Sequence, residues 1–382
     1  MIADVPLGAF LSGGVDSSAV VARMAAMSTQ PVKTFSVGFD IEGFDETPHA
    51  LQVAQRYETD HRAYTMGYDL VAELPRLIWH YGEPYADSSA LVTFALAREI
   101  RKHVTVALTG DGGDEVFLGY SRYLRFREFV ERWRAGVRPR LPYEALTAGD
   151  QLAFLREHYG RWIGSFREEH KHLGYGPALM PFLLQPSLDQ LGLGLEGAQV
   201  DGAMDAAARL ECGTYLADDL NVKADIATMA VSLEGRSPLL DHELADWAAS
   251  IPQNKRVFER NGVMETKALL KRAVEPYLPA EILYRRKQGF SVPVRHWMRH
   301  EIRDFMVETL TSSRFRARGI LSPAFVQLML DRHLSEAEDH GHRLWTLLCL
   351  EMWFQTFIDR QDTATPLDLD IMAPSPELLR AG

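Results

Sequence analysis

Apolar and polar positions alternate in two different rhythms along this chain. Over the first 110 residues, short apolar runs at Leu7–Leu11, Lys33–Phe39, His61–Thr65 and Val104–Leu108 predict strands. Between them, periods of three to four predict helices at Ser17–Met27, Thr47–Tyr57, Gly67–Tyr81 and Ser88–Lys102. Strands alternating with helices predict an α/β fold, a mainly parallel sheet flanked by helices, with ligands beyond the carboxyl ends of the strands near a topological switch point. From about Tyr120 the strand signal fades. Helical periodicity continues over Arg122–Trp133, Asp150–Phe166, Ala203–Ser232, Asp241–Ser250, Thr266–Ala273, Ile302–Leu310, Pro323–Leu334 and Leu344–Ile358. Residues 167–203 mix Gly, Pro and Leu and read as irregular connections. The pattern divides the chain into an α/β core (1–125), a mostly helical remainder that closes on it (126–360) and a mobile tail (361–382).

Composition excludes several classes. The chain has 382 residues, 46% hydrophobic, enough for a large core. A formal charge of −11 argues against nonspecific nucleic-acid or anionic-membrane binding. No apolar run reaches transmembrane length, and no signal-peptide pattern opens the chain, so a cytoplasmic setting is expected. The two cysteines, Cys212 and Cys349, form no CxxC pair and read as structural. Met1-Ile2-Ala3-Asp4-Val5-Pro6 reads as the end of an earlier helix before a strand entry, as in a piece of a longer protein.

The most informative stretch is LSGGVDSS, Leu11–Ser18, between the first strand and first helix. Gly13 and Gly14 let backbone approach a ligand, and the new helix offers free N–H groups to an anion. Ser12, Ser17 and Ser18 add hydroxyl donors. Asp16 would repel bare phosphate, which implies a magnesium ion between them. No GK[ST] follows, so this is not a Walker loop. A bare turn with a capping Asp is the plainer reading; the hydroxyls and carboxylate around the glycines favour nucleotide binding. The loop resembles the PP-loop of ATP pyrophosphatases, which cleave ATP to AMP and pyrophosphate. A second loop, TGDGGDE (Thr109–Glu115), follows the strand ending at Leu108 and crowds carboxylates into a glycine-rich turn. Asp16 and Asp114 could hold one magnesium on pyrophosphate oxygens.

DVPLGAFLSGGVDSS, TFSVGF, GEPYADSSA, TGDGGDE, NVKADIATMAVSLEGRSPLLD, RRKQGFSVP and RLWTLLCLEMW run in order from residue 3 to about 353. Together they resemble the synthetase domain of glutamine-dependent asparagine synthetases. The resemblance implies a PP-loop (adenine-nucleotide alpha hydrolase-like) fold and an ATP- and Mg2+-dependent reaction. Aspartate's side-chain carboxylate is adenylated, and ammonia displaces AMP to give asparagine. It places Ser12, Gly13, Gly14, Asp16, Ser17 and Ser18 at the pyrophosphate loop, Val37 and Gly38 at adenine, and Gly110 and Asp111 beside ribose and the reacting carboxylate. Asp16 and Asp114 are implied as magnesium carboxylates and Lys287 as the catalytic lysine, with an ammonium suited to charge developing on the α-phosphate. Arg285 and Arg286 stay open between phosphate contact and a solvated cluster; Glu83, Asp225 and Arg236 are open between site-adjacent and structural roles. Leu118 stands where the family pattern has Gly, and Gly235 and Ser237 where it has Ala and Val. The family's glutaminase half starts with a catalytic cysteine, which Met1-Ile2 is not; a glutaminase domain or subunit is therefore an expected partner absent from this sequence. A homodimer is left open. Two alternatives stand beside this reading: another adenylating amidotransferase or cyclase of the same fold acting on a different carboxylate, and a nonenzymatic nucleotide-binding subunit.

Overall fold

The structure, a computed structural model, describes residues 1–39, 41, 44–136, 143–191, 200, 202–285 and 292–368. Its centre is a five-stranded, fully parallel sheet in the order β3-β2-β1-β4-β5. The strands are β1 (Leu7–Phe10), β2 (Lys33–Phe39), β3 (Asp60–Met66), β4 (Val106–Leu108) and β5 (Glu234–Arg236). The α/β expectation is met, and the first four strands fall where the apolar runs place them.

Helices cover both faces, as a parallel sheet requires. On one side α1 (Val15–Met27) and α2 (Thr47–Arg56) bury Val20, Val21, Ala50 and Val53 with Ala9 and Leu11 of the β1 segment. Residues 19–26 are free of Gly and Pro and rich in Ala, which favours helix; Pro48 fits the first turn of α2, where its missing N–H costs nothing. On the other side α4 (Ser89–Arg101) is buried along most of its length, placing Leu96, Ala97 and Ile100 against Phe35 and Ala107. α4 also packs with α3 (Leu74–Tyr81) and late helices into the largest core cluster, around Trp297 and Trp345. The segment read as one helix from Gly67 divides into a 3-10 stretch, Tyr68–Glu73, and α3.

β5 was not expected. Glu-Gly-Arg carries no alternation and lies mostly exposed at the sheet edge, yet it pairs with β4 from Val106↔Glu234 to Leu108↔Arg236. The sheet is thus completed by residues from the later part of the chain. Preceding β5 is a helical run: α7 (Ala203–Glu211), a wide-turned π segment Cys212–Leu220, and α8 (Asn221–Met229). Ahead of it, α5 (Gly113–Val116) and α6 (Ser121–Gly136) follow β4. A hairpin of β6 (Phe258–Arg260) and β7 (Val263–Glu265) then leads into α9 (Ala268–Val274). Residues 1–6 form no helix; the strand entry at Leu7 stands as expected. The tail beyond residue 368 lies outside the described residues. Among the described residues, no helix is long and apolar enough to cross a membrane.

Candidate active site

The strand order reverses direction between β1 and β4, so the loops after these two strands open a crevice at one sheet edge. A cavity of about 750 Å³ occupies it. Ser12, Gly14, Asp16, Ser17, Val37, Gly110, Asp111 and Asp114 all line that cavity. In the first loop, the Ser12 and Ser17 hydroxyls lie 3.0 Å apart, and the Gly14 N–H donates to Ser12 Oγ at 3.3 Å. Gly13 adopts φ +72°, and a Cβ there would stand 2.5 Å from the backbone of His49 and Ala50. A Cβ on Gly110 would stand 2.6 Å from the Ser17 amide. Glycine is therefore needed for the loop from β1 to touch both α2 and the loop from β4.

Three of the expected site residues fall outside the lining of this cavity. Ser18 is fully buried behind the loop and is not part of this cavity's lining, because the first turn of α1 carries its side chain toward the core. Gly13 and Gly38 are also outside the lining; Gly38 is pressed against the Asp45 side chain, leaving Val37 to face the cavity. Lys287 lies outside the described residues.

A residue that motif reading passed over sits at the centre. Lys267, at the entry of α9, sends its ammonium between Asp16 and Asp114, hydrogen-bonded to Asp16 Oδ2 and 2.9 Å from Asp114 Oδ1. Its left-handed backbone (φ +56°) turns the chain from the hairpin into the helix. Burial disfavours its charge, but Asp16 and Asp114 more than offset this and hold the ammonium above the ordinary lysine range. One cation therefore reaches both carboxylates, the arrangement that a magnesium ion shared with phosphate oxygens needs. Among the described residues, no group of three or more His, Cys, Asp or Glu is disposed to hold a metal alone.

The other end of the cavity carries a polar cluster. Lys223 of α8 donates to Asp87 Oδ2 at 3.1 Å and Ser89 Oγ at 3.0 Å. Asp87 Oδ1 accepts from the Ser89 N–H at 2.8 Å, so Asp87 binds the first amide of α4 and orients Lys223 together. Burial opposes the charge on Lys223, but Asp87 and Asp111 raise its pKa overall. Asp87 feels burial too, yet Lys223 and the Ser89 bonds bring its carboxyl below the usual range. Behind them Tyr120 donates to Glu115, which burial pushes up to about 7. The Arg122 guanidinium lies over the Tyr120 ring, 3.6 Å from its centroid, and is held by buried Glu211 at 2.5 and 2.6 Å.

Of the residues left open, Arg286 lies outside the described residues and the others now have positions. Asp225 lines the cavity, whereas Arg236 pairs with Glu234 at 2.6 Å and donates to the Ile2 carbonyl; the two do not form a buried pair with each other. Glu83 is exposed. Arg285 is no solvated cluster residue: it is largely buried against Glu46. Cys349 is buried in the core and Cys212 is partly buried, and burial raises both thiols, Cys212 to about 12, which suits structural rather than nucleophilic roles.

Comparison with known proteins agrees with this geometry. A family model described as asparagine synthase matches residues 1–355. A protein of Mycobacterium tuberculosis named putative asparagine synthetase [glutamine-hydrolyzing] is 36% identical over 379 residues, covering 94% of this chain and 56% of its own length. Asparagine synthetase [glutamine-hydrolyzing] 1 of Bacillus subtilis is 32% identical over 374 residues, 94% of this chain and 58% of its own length. Amidase chyE of Penicillium rubens is 25% identical over 392 residues, 89% and 57%. The chain thus spans somewhat more than half the length of these relatives. With the family model matching nearly the whole chain and the glycine loops meeting at the switch point of the sheet, this chain belongs to the asparagine synthase family.

Proposed function

We propose that this chain is the synthetase part of an ATP-dependent carbon–nitrogen ligase that adenylates the side-chain carboxylate of aspartate and transfers the acyl group to ammonia. The observation that carries this reading is the convergence of Asp16, Asp114 and Lys267 beside the glycine-lined loop after β1. The first step joins a carboxylate oxygen of aspartate to the α-phosphorus and breaks the bond to the β-phosphate bridging oxygen. Pyrophosphate leaves. Ammonia then attacks the acyl carbon, the bond to the AMP oxygen breaks, and a proton is released as the amide forms.

In this scheme Ser12, Ser17 and the amides of the first loop cradle the pyrophosphate half, while Val37 lines the adenine side. Asp16 and Asp114 would hold Mg2+, which supplies charge neutralisation on the phosphates when bound. Lys267 turns from the carboxylates toward the phosphate oxygens. Lys287 is proposed to stabilise charge on the α-phosphate, and Gly110 with Asp111 to sit beside the ribose and the reacting carboxylate. The relatives' names point to nitrogen from glutamine; ammonia handed over by a glutaminase unit is the proposed source, and the cytoplasm the proposed setting.

The test is exchange of labelled pyrophosphate into ATP. Aspartate should stimulate it, and the nucleotide products with ammonia present should be AMP and pyrophosphate. Dominant ADP and phosphate would refute the reaction, and exchange that ignores aspartate would refute the substrate.

A further inference from the structure

Outside the Asp16–Lys267–Asp114 centre, a second buried ion pair faces the same cavity. Arg285 Nη2 lies 2.7 Å from Glu46 Oε1, and both side chains are nearly nine-tenths buried, yet both line the cavity wall. Glu46 immediately precedes α2, the helix against which Gly13 is pressed. Its carboxylate caps nothing: Asp45 Oδ1 accepts from the Thr47 N–H at 2.9 Å, and Glu46 makes no side-chain cap. Arg285 stands over the loop itself. Its Nη2 is 3.8 Å from where a Cβ on Gly14 would be, beside the first turn of α1.

Among the described residues, the hydrogen bonding of Arg285 is incomplete. Among the described residues, Glu46 is its only hydrogen-bond partner, engaged through one nitrogen. A guanidinium carries five donors in a planar fork that matches two phosphate oxygens. An ion pair at a cavity wall adds little net stability, because desolvation offsets the attraction. Burial raises the Glu46 carboxyl more than Arg285 lowers it. The pair therefore needs a reason other than stability, and the open fork above a glycine-walled anion cradle supplies one.

We infer that Arg285 is a ligand for the pyrophosphate half of the nucleotide, held in place before the nucleotide binds by Glu46, whose carboxylate occupies the guanidinium that phosphate oxygens take on binding. This rests on the proposed ATP reading and adds a binding residue and its internal competitor. No covalent step is involved. The ammonium and the guanidinium then approach the phosphates from two directions, Lys267 from the carboxylate side and Arg285 from above Gly14. Re-formation of the Glu46 pair accompanies departure of pyrophosphate.

The competitor reading makes the two partners behave oppositely, whereas a structural tie makes them behave alike. The experiment measures binding of inorganic pyrophosphate with magnesium, and of AMP, by calorimetry on the full chain and on Glu46→Gln, Arg285→Gln and Arg285→Lys. Loss of one charge-assisted contact should weaken pyrophosphate binding by roughly tenfold to a hundredfold in Arg285→Gln. Arg285→Lys, which keeps the charge but not the fork, should fall between it and the parent chain. Glu46→Gln should tighten pyrophosphate binding by about threefold or more, since the competing charge is gone. AMP affinity should move by less than about twofold in every variant. Both partners weakening pyrophosphate alike, no change in either, or an equal change for AMP would overturn the inference while leaving the ATP reading intact. A parent chain that binds AMP but no pyrophosphate would overturn the ATP reading itself. If Arg285→Gln fails to fold, Glu46→Gln and Arg285→Lys still decide.

Discussion

Replacing Lys267 by Met isolates the electrostatics of the proposed phosphate centre. The two side chains have similar length, and the left-handed backbone at 267 burdens both equally, so the difference reports the charge. A single nitrogen bonded to Asp16 and 2.9 Å from Asp114 puts the two carboxylates within about 6 Å of each other. Two like unit charges at that separation repel by about 3 kcal/mol at an effective dielectric of 20. Breaking a buried pair commonly costs about 3–5 kcal/mol. We therefore expect Lys267→Met to lower stability by about 3 kcal/mol in a chelator, read from the urea midpoint at neutral pH.

The diagnostic result is what magnesium does next. With the ammonium gone, a divalent cation should settle between the carboxylates without nucleotide. At about 100 times its dissociation constant it would return about 2.7 kcal/mol. The parent chain should gain much less, because there the cation must first displace Lys267. A variant as stable as the parent in chelator, a variant that ignores magnesium, or a parent that gains as much as the variant would refute the shared-cation geometry.

Three further outcomes follow from the same contacts. Asp114→Asn leaves Lys267 with Asp16, so it should cost about 1–3 kcal/mol of apo stability while abolishing magnesium-dependent pyrophosphate exchange; retained exchange would remove Asp114 from the metal set. Gly112→Ala should cost about 2–4 kcal/mol by urea unfolding, because Gly112 sits at φ +85° and a Cβ would overlap the Leu240 side chain; a neutral result would contradict that contact. His333 is fully buried, and burial drops its pKa from 6.5 to about 4. Between those values the unfolded chain binds more protons, so stability rises with pH, and acidification across the window should cost about 3 kcal/mol. The slope of stability against pH over that range should be shallower in His333→Asn, and an unchanged slope would exclude His333 from the acid response.

How much was legible depended on whether a signal was local. β1 to β4 declare themselves because parallel strands buried on both faces are continuous apolar runs. β5 does not, since an exposed edge strand of three residues needs only backbone pairing, and Glu234-Gly235-Arg236 satisfies that with no side-chain pattern. The β6–β7 hairpin did carry a local signal, Asn261-Gly262 with both φ values positive, which helical periodicity on either side concealed. In the site, the glycine-rich loops were readable because the proposed phosphate binding needs special backbone and small residues in sequence. Lys267 was not, because a lysine opening an amphipathic helix looks like any solvated helix start. Ser18 falls outside the cavity lining for the converse reason: adjacency to Ser17 in sequence puts it on another face of α1. Leu118, read in the sequence as a departure from the pattern of the family it resembles, has a conformational meaning. It occupies φ +56° while fully buried, where a Gly would carry less strain.

Four carboxylates of the cavity wall are paired with cations from far along the chain. Asp16, Glu46, Asp87 and Asp114, all from the first 115 residues, supply carboxylates; their partners Lys267, Arg285 and Lys223 all come from beyond residue 220. Neither set could stay buried alone, since an unpaired charge in such a place costs several kcal/mol. The α/β layer with its glycine loops therefore would not make the proposed phosphate site by itself: left unpartnered, its carboxylates would repel an anion at the loops. Docking of the later helices neutralises them and brings in the cations together. The same contacts tie the later helices to the α/β layer and supply the cations that a chain of net charge −11 would present to a triphosphate in the proposed reaction. β5 adds the mechanical counterpart, hydrogen-bonding the later part to β4 directly beneath the Thr109–Asp114 loop. A change that loosens this docking would thus be expected to reach phosphate affinity through charge before it reaches the glycine loops through shape.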